Sequence, residues 1–492
     1  MLKNTLFPFT LLLVLFCGSC KKDKLITNSS AQLEFSTDTI IFDTVFTQIG
    51  SITKVFKVYN PHAQPINITS LELAGGNSSN FRINIDGVSA HKQENIELRA
   101  KDSLYIFVEV TVDPNESNNP MIITDSIIFI TNNNIQNIDL VAWGQDAWFW
   151  YSTGGTYFFP INQAEDEYNT NYTLPNDKPN VIYGYLTVDS SNTLTIPAGA
   201  ALHFHQYSGL AVDVSASLHV EGTTDNPVIF TSDRTDIDYR DIPGQWGHPV
   251  FGGIWLYTES INNTINHAII RNGNIGIKAD STANPGTNTI LTITNSTIEN
   301  MSGVGLLAYN STIKADNCII SNCGQHTVAL PWGGDYEFNH CTLANYWTYA
   351  ARDLGQLVVS NYFEAGAKKQ HWSIDVEFNN CIVHGNNTEE LVIEEVEHPG
   401  MTFSYQFNDC IVKTELNTSL SNYLNVLTNP ANVMVDGVSL NPIFSDVTID
   451  DYNLFEQSVA IDYCTIIPGL ETDKEGVSRD SSPDAGALEY LP

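Results

Sequence analysis

Aromatic and basic residues are concentrated between Asn339 and Asn379, in a chain with only 22 Lys and Arg among 492 residues. Aromatic faces beside hydrogen-bonding charges bind sugar rings through CH–π contacts and polar fixing. The composition therefore predicts that a glycan binds along this interval and the repeat before it. The ligand-binding candidates are Trp332, Trp347, Tyr349, Tyr362 and Trp372. The alternative interpretation is a packed loop that only fixes its own aromatic residues.

The basic residues of the same interval are of the types that a polysaccharide lyase uses. A lyase needs a base for the proton α to a uronate carboxylate, and a cation that neutralises this carboxylate. The catalytic candidates are Arg352, Lys368 and His371. Hydrolysis of the polygalacturonase type needs paired acidic residues on a coil strand instead. The only Asp-Asp pair, Asp450-Asp451, lies in the last part of the sequence, which counts against such a hydrolase.

Residues 233–241 contain four carboxylates and two arginines. Asp236, Asp238 and Asp241 are candidate Ca²⁺ ligands, because Ca²⁺ prefers oxygen ligands. The alternative is a surface loop in which the arginines neutralise the carboxylates. We favour the second interpretation, because the Gly and the closing Glu of an EF-hand loop are missing.

A four-residue motif that starts with Asn or Asp and ends with a β-branched residue occurs six times between Asn266 and Ile411. It recurs at intervals of 29, 21, 23, 40 and 29 residues, and its apolar residues alternate with a period of two. This pattern indicates a parallel β-solenoid rather than a helical repeat. Asn and Asp tolerate left-handed turns, and their side chains can bond one another along a stack, so we interpret them as scaffold. The two proposed turn columns are Asn266, Asn295, Asp316, Asn339, Asn379 and Asn408, and then Asn272, Asn300, Asn322 and Asn345.

Four of the eight cysteines occupy one column of this repeat. The column reads Ala268, Thr297, Cys318, Cys341, Cys381 and Cys410. A position that accepts Ala, Thr or Cys is small and faces inward, which predicts a buried ladder of thiols. In-register side chains of parallel strands have the wrong mutual direction for a good disulfide. Zinc is disfavoured as well, because the cysteines of the repeat form no Cys-x-x-Cys pair.

Residues 33–147 show short alternating strands separated by turn residues, which predicts a β-sandwich. Representative strands are Thr53–Tyr59 and Ser103–Val110. The order of motifs, with Asn60-Pro61 and Val112-Asp-Pro114 among them, resembles the ASPM-SPD2-Hydin type of immunoglobulin-like domain. The resemblance implies a structural spacer or a binding domain.

Residues 148–180 are aromatic and irregular, and we interpret them as a bridge that caps the following domain. From 181 to 490, three-residue strands recur every 8 to 10 residues, so that 194–218 makes one coil of 24 residues. Motifs such as Ile196-Pro-Ala-Gly199 resemble right-handed parallel β-helix proteins of the pectin-lyase-like superfamily. The predicted fold class is therefore all-β, a right-handed parallel β-helix of three-strand coils preceded by an immunoglobulin-like β-sandwich. The fold alone does not define a function, because the same coil serves lyases, hydrolases, adhesins and inert spacers.

Residues 1–20 have the features of an export signal, with a basic start, an apolar core and a small-residue cleavage site. Gly18-Ser-Cys20 resembles the lipobox of Bacteroidetes lipoproteins. The resemblance implies a lipidated Cys20, followed by a polar tether over residues 21–32. We therefore expect a lipid-anchored protein of the cell envelope, at the outer membrane, that contacts the membrane only through its anchor.

The formal net charge of −34 opposes binding to nucleic acid or to an anionic membrane surface. The sequence implies no cofactor, apart from Ca²⁺ if the acidic loop binds a metal. These features predict an envelope lipoprotein whose β-helix surface binds a polysaccharide or an envelope protein without catalysing a reaction. The alternative is a polysaccharide lyase that acts on an acidic glycan.

Overall fold

The computed structural model describes residues 24–114, 121–151, 158–160, 171–365, 368–435 and 438–492. The chain forms two compact units, one up to Asp146 and one from Ala147 onwards. The predicted signal sequence with Cys20 lies outside the described residues. No helix in the described part is long and apolar enough to cross a membrane.

The first unit is a β-sandwich of two five-stranded sheets. In sheet order, its strands are Glu34–Phe35, Lys54–Tyr59, Ser103–Val110, Phe81–Ile85 and Val88–Ser89, and then Thr39–Phe46, Asn134–Gln145, Met121–Thr131, Ile66–Leu73 and Lys92–Leu98. A short 3-10 helix spans Gly76–Ser78. All neighbours pair antiparallel except Thr39–Phe46, which runs parallel to Asn134–Gln145.

Side-chain alternation explains why these strands form a sandwich. Along Ser103–Val110, every second residue is buried, and the residues between them are mostly exposed. Strands with one apolar face bury that face against a second sheet. The buried faces of both sheets share one hydrophobic core. The predicted sandwich is confirmed, whereas the immunoglobulin-like relationship remains a prediction.

The second unit is a right-handed parallel β-helix, as predicted. Its coils contribute strands in turn to three sheets, which we call sheets I, II and III. Sheet I contains Trp148–Tyr151, Asn180–Tyr183, Ala201–Phe204, Val228–Ser232, Ala268–Arg271, Thr297–Met301, Ile319–Cys323, Thr342–Asn345, Ile382–Gly385, Ile411–Val412 and Leu427–Thr428. Sheet II contains Phe158–Pro160, Tyr185–Val188, Gly209–Val212, Ile254–Leu256, Ile275–Ala279, Val304–Ala308, His326–Leu330, Leu357–Ser360 and Leu391–Glu394. Sheet III contains Asn171–Thr173, Thr193–Pro197, Ser217–Glu221, Asn263–Asn266, Leu291–Thr294, Ser311–Asp316, Gly334–Asn339, Ile374–Asn379, Phe403–Asn408 and Tyr423–Leu424.

In-register stacking of like residues fills the interior of the β-helix. Leu194 pairs with Leu218, which confirms the predicted coil of 24 residues. Phe338, Phe378 and Phe407 stack in successive coils of sheet III, with ring centroids 4.7 and 4.9 Å apart. Because each coil covers the apolar face of its neighbour, one continuous core runs along the stack.

The β-helix begins earlier than the predicted boundary at residue 181. Trp148–Tyr151, Phe158–Pro160 and Asn171–Thr173 pair in parallel with the strands of the following coil. The segment 148–180, which we predicted as an irregular bridge, therefore supplies strands to all three sheets. Pairing satisfies backbone groups that an uncovered first coil would expose, and the aromatic composition concealed these short strands.

The turn between sheets III and I contains the predicted Asn and Asp residues, but its left-handed position lies one residue later than predicted in every coil except that of Asn295. Asn266 is in register with Thr294, so the predicted member Asn295 belongs to the next column. That next column has left-handed backbone, with φ of 51° at Asn295 and 58° at Asn380. Side-chain amides bond along the stack, as between Asn379 Nδ2 and Asn339 Oδ1 at 2.9 Å.

The predicted cysteine column is also confirmed, except that one of its six predicted members belongs to a different column. All six described cysteines are buried and form no disulfide. Ser296, rather than the predicted Thr297, precedes Cys318 in the column, because Thr297 pairs with Ile319. Burial raises the pKa of Cys318, Cys341 and Cys381, and it raises the pKa of Cys323, which lies outside the column, to about 12.

The last part of the chain does not continue the stack, although we predicted β-helix up to residue 490. After Leu427–Thr428, residues 441–490, here called the closing segment, lie along the outer face of sheet I. Phe444 packs there with Ile382 and Ile411 of the sheet in one apolar cluster. Sheet I is apolar on both faces in these coils, so its outer face needs a cover.

Candidate functional site

A cleft of about 730 Å³ opens at the edge of sheet I, where the chain turns towards sheet II. We call it the Glu299 cleft. It combines carboxylates, an arginine, side-chain amides and aromatic rings, which are the groups that recognise polar ligands in clefts. The lining residues are Asp241, Arg271, Asn272, Glu299, Asn300, Asn322, Tyr346, Trp347, Thr348, Tyr349, Asn386, Val447, Thr448, Ile449 and Asp450.

The charged floor of the cleft comes from two neighbouring coils. Arg271 and Glu299 are in register on adjacent strands of sheet I. Burial raises the pKa of Glu299, and the charges of Asp450 and Asp241 raise it further, whereas Arg271 and Lys474 oppose the shift. Glu299 therefore holds its proton to a higher pH than an ordinary glutamate.

The second Asn column fixes one wall. Asn272, Asn300 and Asn322 have left-handed backbone, with φ of 67°, 55° and 47°. Asn272 Nδ2 donates to the Arg240 carbonyl at 2.6 Å, and Asn300 Nδ2 to the Asp241 carbonyl at 2.7 Å. The acidic loop is thereby tied to the coil edge, and Asp241 is positioned at the cleft.

The closing segment forms the opposite wall. Asn322 Nδ2 donates to Asp450 Oδ1, which also accepts from the Tyr452 hydroxyl at 3.5 Å. Asp450 itself has left-handed backbone with φ of 61°. These contacts place the Asp450 carboxylate in the same cleft as Glu299.

Two of the five aromatic candidates line this cleft. Trp347 is 7% exposed, and its Nε1 has no hydrogen-bond partner among the described residues. Tyr349 is 59% exposed, its ring lies 5.0 Å from that of Trp347, and its hydroxyl donates to the Asp241 carbonyl at 3.3 Å. Tyr349 therefore offers an accessible ring at the mouth of the cleft.

A smaller recess of about 330 Å³ adjoins the cleft, with Arg271 and Asp241 lining both. Its walls add Arg234 and Arg240. The Arg271 Nε is buried and has no hydrogen-bond partner in the described part of the chain. Arg234 and Arg240 are paired with Asp236 and Asp241, so Arg271 is the guanidinium of this recess that suits an anionic substituent.

The other three aromatic candidates lie on the opposite edge of sheet II, towards sheet III. Trp332 contacts Tyr309 at a centroid distance of 4.0 Å and is parallel to Trp372 at 5.7 Å. Tyr362 lies on a hairpin nearby and donates to Glu394 at 3.2 Å. Since protein rings lie on either side of Trp332, its faces are less available to a sugar than that of Tyr349.

The structure does not bring the three lyase candidates together. Lys368 is exposed on the hairpin Tyr362–Ala365/Lys368–His371, whereas His371 stacks on His398 at 4.7 Å. Arg352 lies in the connection from sheet I to sheet II, on the other edge. Its guanidinium is buried and makes two bonds to Glu390, at 2.8 and 2.6 Å. Arg352 is therefore a scaffold residue, because a guanidinium committed to a buried carboxylate cannot neutralise a substrate.

The acidic loop forms ion pairs, as the favoured interpretation predicted. Arg234 bonds both carboxylate oxygens of Asp236, at 2.8 and 3.1 Å, and Arg240 bonds Asp241 at 3.2 Å. Asp238 is exposed. Among the described residues, no three metal-ligating side chains group together, and Asp236 is paired with Arg234.

Glu299 and Asp450 were missed by the sequence analysis. Glu299 directly follows one copy of the repeated Asn motif, and we interpreted the residues around it as structural residues of the coil. One weak signal in the sequence pointed to Glu299. It is an acidic residue on a strand of sheet I, whereas the residues in register with it on the two adjacent strands are Arg271 and Ser321. Asp450 was noticed but dismissed because of its position near the end of the sequence.

Comparisons with known proteins agree with the fold. The family model described as a pectate-lyase like β-helix domain matches residues 166–268. The model described as a right-handed β-helix region matches residues 252–467. Together they assign most of the second unit to the class of right-handed β-helix proteins.

The solved structures that match include a glucanase and a pectate lyase. A GH87 α-1,3-glucanase catalytic unit from Streptomyces thermodiastaticus is 11% identical with a TM-score of 0.32, over 73% of this chain and 66% of that one. Pectate lyase Pel9A is 12% identical with a TM-score of 0.31, over 70% of this chain and 88% of that one.

A family 123 glycoside hydrolase from Clostridium perfringens also matches, at 10% identity and a TM-score of 0.17, over 23% of this chain. The chain spans about a quarter of that enzyme, 26% of its length. No curated protein matches the sequence. These likenesses concern the fold, and the function has to be argued from the cleft.

Proposed function

We propose that this protein binds a glycan chain in the Glu299 cleft, at the edge of its β-helix. The observation that carries the proposal is the accessible ring of Tyr349 above a floor of carboxylate, guanidinium and amide groups. Sugars are held by a ring face together with hydrogen bonds to their hydroxyls. The description of one matching family model as pectate-lyase like is consistent with a carbohydrate ligand.

The distribution of charge in the cleft favours a particular kind of sugar unit. Three carboxylates, those of Glu299, Asp450 and Asp241, line the cleft together with one arginine, Arg271, so an uncharged sugar unit fits there better than an acidic one. The cell-envelope location through a lipid anchor at Cys20 belongs to the same proposal, and fatty-acid labelling of the expressed protein tests it.

Replacing Tyr349 with alanine is expected to weaken glycan binding about two- to tenfold, which corresponds to roughly 0.5–1.5 kcal/mol for one ring contact. The measurement is an affinity titration of the full chain against xylan, α-glucan, polygalacturonate and a sulfated glycan. Trp372→Ala is the matched control, because Trp372 lies on the far edge of sheet II.

Trp372→Ala should leave the affinity unchanged. If Trp372→Ala weakens glycan binding and Tyr349→Ala does not, the binding site lies at the Trp332 edge of sheet II instead. Failure of every glycan to bind the wild-type protein would refute the proposed function itself.

A further inference from the structure

The arrangement of acidic groups in the Glu299 cleft goes beyond what binding requires. Glu299 comes from sheet I, and Asp450 is delivered by the closing segment from a distant part of the sequence. Glu299 is partly buried, whereas Asp450 and Asp241 are exposed at the mouth of the cleft. Placing like charges close together is unfavourable, so a site used only to hold neutral hydroxyls has little reason to collect them. Amide side chains, which are already present at Asn272 and Asn300, would suffice.

We propose that the Glu299 cleft hydrolyses the bound glycan, with Glu299 as the proton donor and Asp450 as the carboxylate that accepts the proton of the attacking water. This inference rests on the proposed function, because it needs a glycan in the cleft. The cleft is large enough for sugar units and opens to solvent beside Tyr349, which is exposed. Trp347 also lines this cleft, and its buried Nε1 has no hydrogen-bond partner in the part of the chain that the structure describes.

The reaction is balanced with water as the only other reactant. The carboxyl proton of Glu299 goes to the glycosidic oxygen, and the bond from this oxygen to the anomeric carbon breaks. Water forms the new bond to the anomeric carbon, and its proton goes to the Asp450 carboxylate. Transfer of that proton back to Glu299 through solvent restores both groups.

The surroundings of the two carboxyl groups suit these separate roles. Glu299 is partly buried, and its pKa is raised, chiefly by burial, which favours a proton donor. Asp450 accepts hydrogen bonds from Asn322 and Tyr452, so its carboxylate is held in one orientation. Asp241 is bonded to Arg240 and belongs to the wall of the cleft.

Glu299→Gln and Asp450→Asn are expected to lower the hydrolysis rate about a hundredfold to ten-thousandfold, as for loss of a general acid or base. New reducing ends are measured on any glycan that the wild-type protein binds, with binding affinity measured in parallel. Asp238→Asn is the matched control, because Asp238 is an exposed aspartate outside the cleft. Retained affinity in the two variants would show that they fold.

The rate should fall as the pH rises through the raised pKa of Glu299, since the donor must be protonated. The charged groups around it are Arg271, Lys474, Asp241 and Asp450. Wild-type protein that binds a glycan but releases no reducing ends would overturn this inference alone. Formation of an unsaturated product would overturn it in favour of a lyase, and absence of all binding would overturn the proposed function as well.

Discussion

Replacing Glu390 with alanine is expected to destabilise the β-helix by about 3–5 kcal/mol, because it leaves the Arg352 guanidinium charged and buried. The two side chains are 2% and 0% exposed and share two hydrogen bonds. Glu390 also accepts from the backbone N–H of Gln356 and Asn387, at 3.2 and 2.9 Å. The substitution therefore removes the partner of one charge and of two amides at once.

Urea unfolding followed by tryptophan fluorescence measures the change. Glu364→Ala is the matched control, because the Glu364–Lys369 pair has a similar contact distance of 2.6 Å but is 40% and 59% exposed. Exposed pairs contribute little, so this control should unfold close to wild type. If the Glu390→Ala variant is as stable as the wild type, the Arg352 guanidinium must reach solvent or another hydrogen-bond partner in the variant.

Replacing Phe444 with alanine is expected to detach the closing segment, at a cost of about 3–5 kcal/mol for a buried phenylalanine. Phe444 is 1% exposed and meets Tyr346 and Tyr452 edge to face, at centroid distances of 6.2 and 5.3 Å. The same segment lines the Glu299 cleft through Val447–Asp450. Loss of this anchor should therefore weaken glycan binding although Phe444 is not in the cleft.

Limited proteolysis with mass mapping measures the detachment, together with a glycan titration. Cleavage should increase within residues 441–490, whereas the coils of the β-helix stay protected, because each coil depends mainly on its neighbours. Phe444→Leu retains most of the apolar volume and should lie between wild type and the alanine variant. An unchanged cleavage pattern would show that other contacts hold the segment.

The fold was predictable because its signals are local. A period of two in the apolar residues identifies a strand, and a left-handed turn favours Asn or Asp at a fixed place in four of six coils, with His267 and His340 in the other two. The thiol column and the one-residue shift at Asn295 show the limit of this reasoning. The repeated sequence motif aligns Asn295 with Asn266, whereas the backbone pairing of sheet III aligns Thr294 with Asn266.

The site was less predictable, because its members are far apart in the sequence. The Asp450-Asp451 pair counted against a hydrolase because it lies in the last part of the sequence, outside the central coils. The return of the closing segment along sheet I follows from apolar residues on the outer face, which sequence alternation alone does not assign to a partner. The prediction of a binding site at the aromatic interval was partly successful, because Trp347 and Tyr349 line the cleft. The environment of Trp332 was not predictable, because it depends on the rings of Tyr309 and Trp372, which pack against it in the folded chain.

Hydrogen–deuterium exchange of the full chain, with and without a glycan that it binds, tests the location of the site most directly. The bound glycan should slow exchange in residues 346–349 and 447–450, which line the Glu299 cleft. Exchange in the hairpin Tyr362–Ala365/Lys368–His371 should be unchanged. Protection of the hairpin, with none at the cleft, would contradict the assignment of glycan binding to the edge of sheet I.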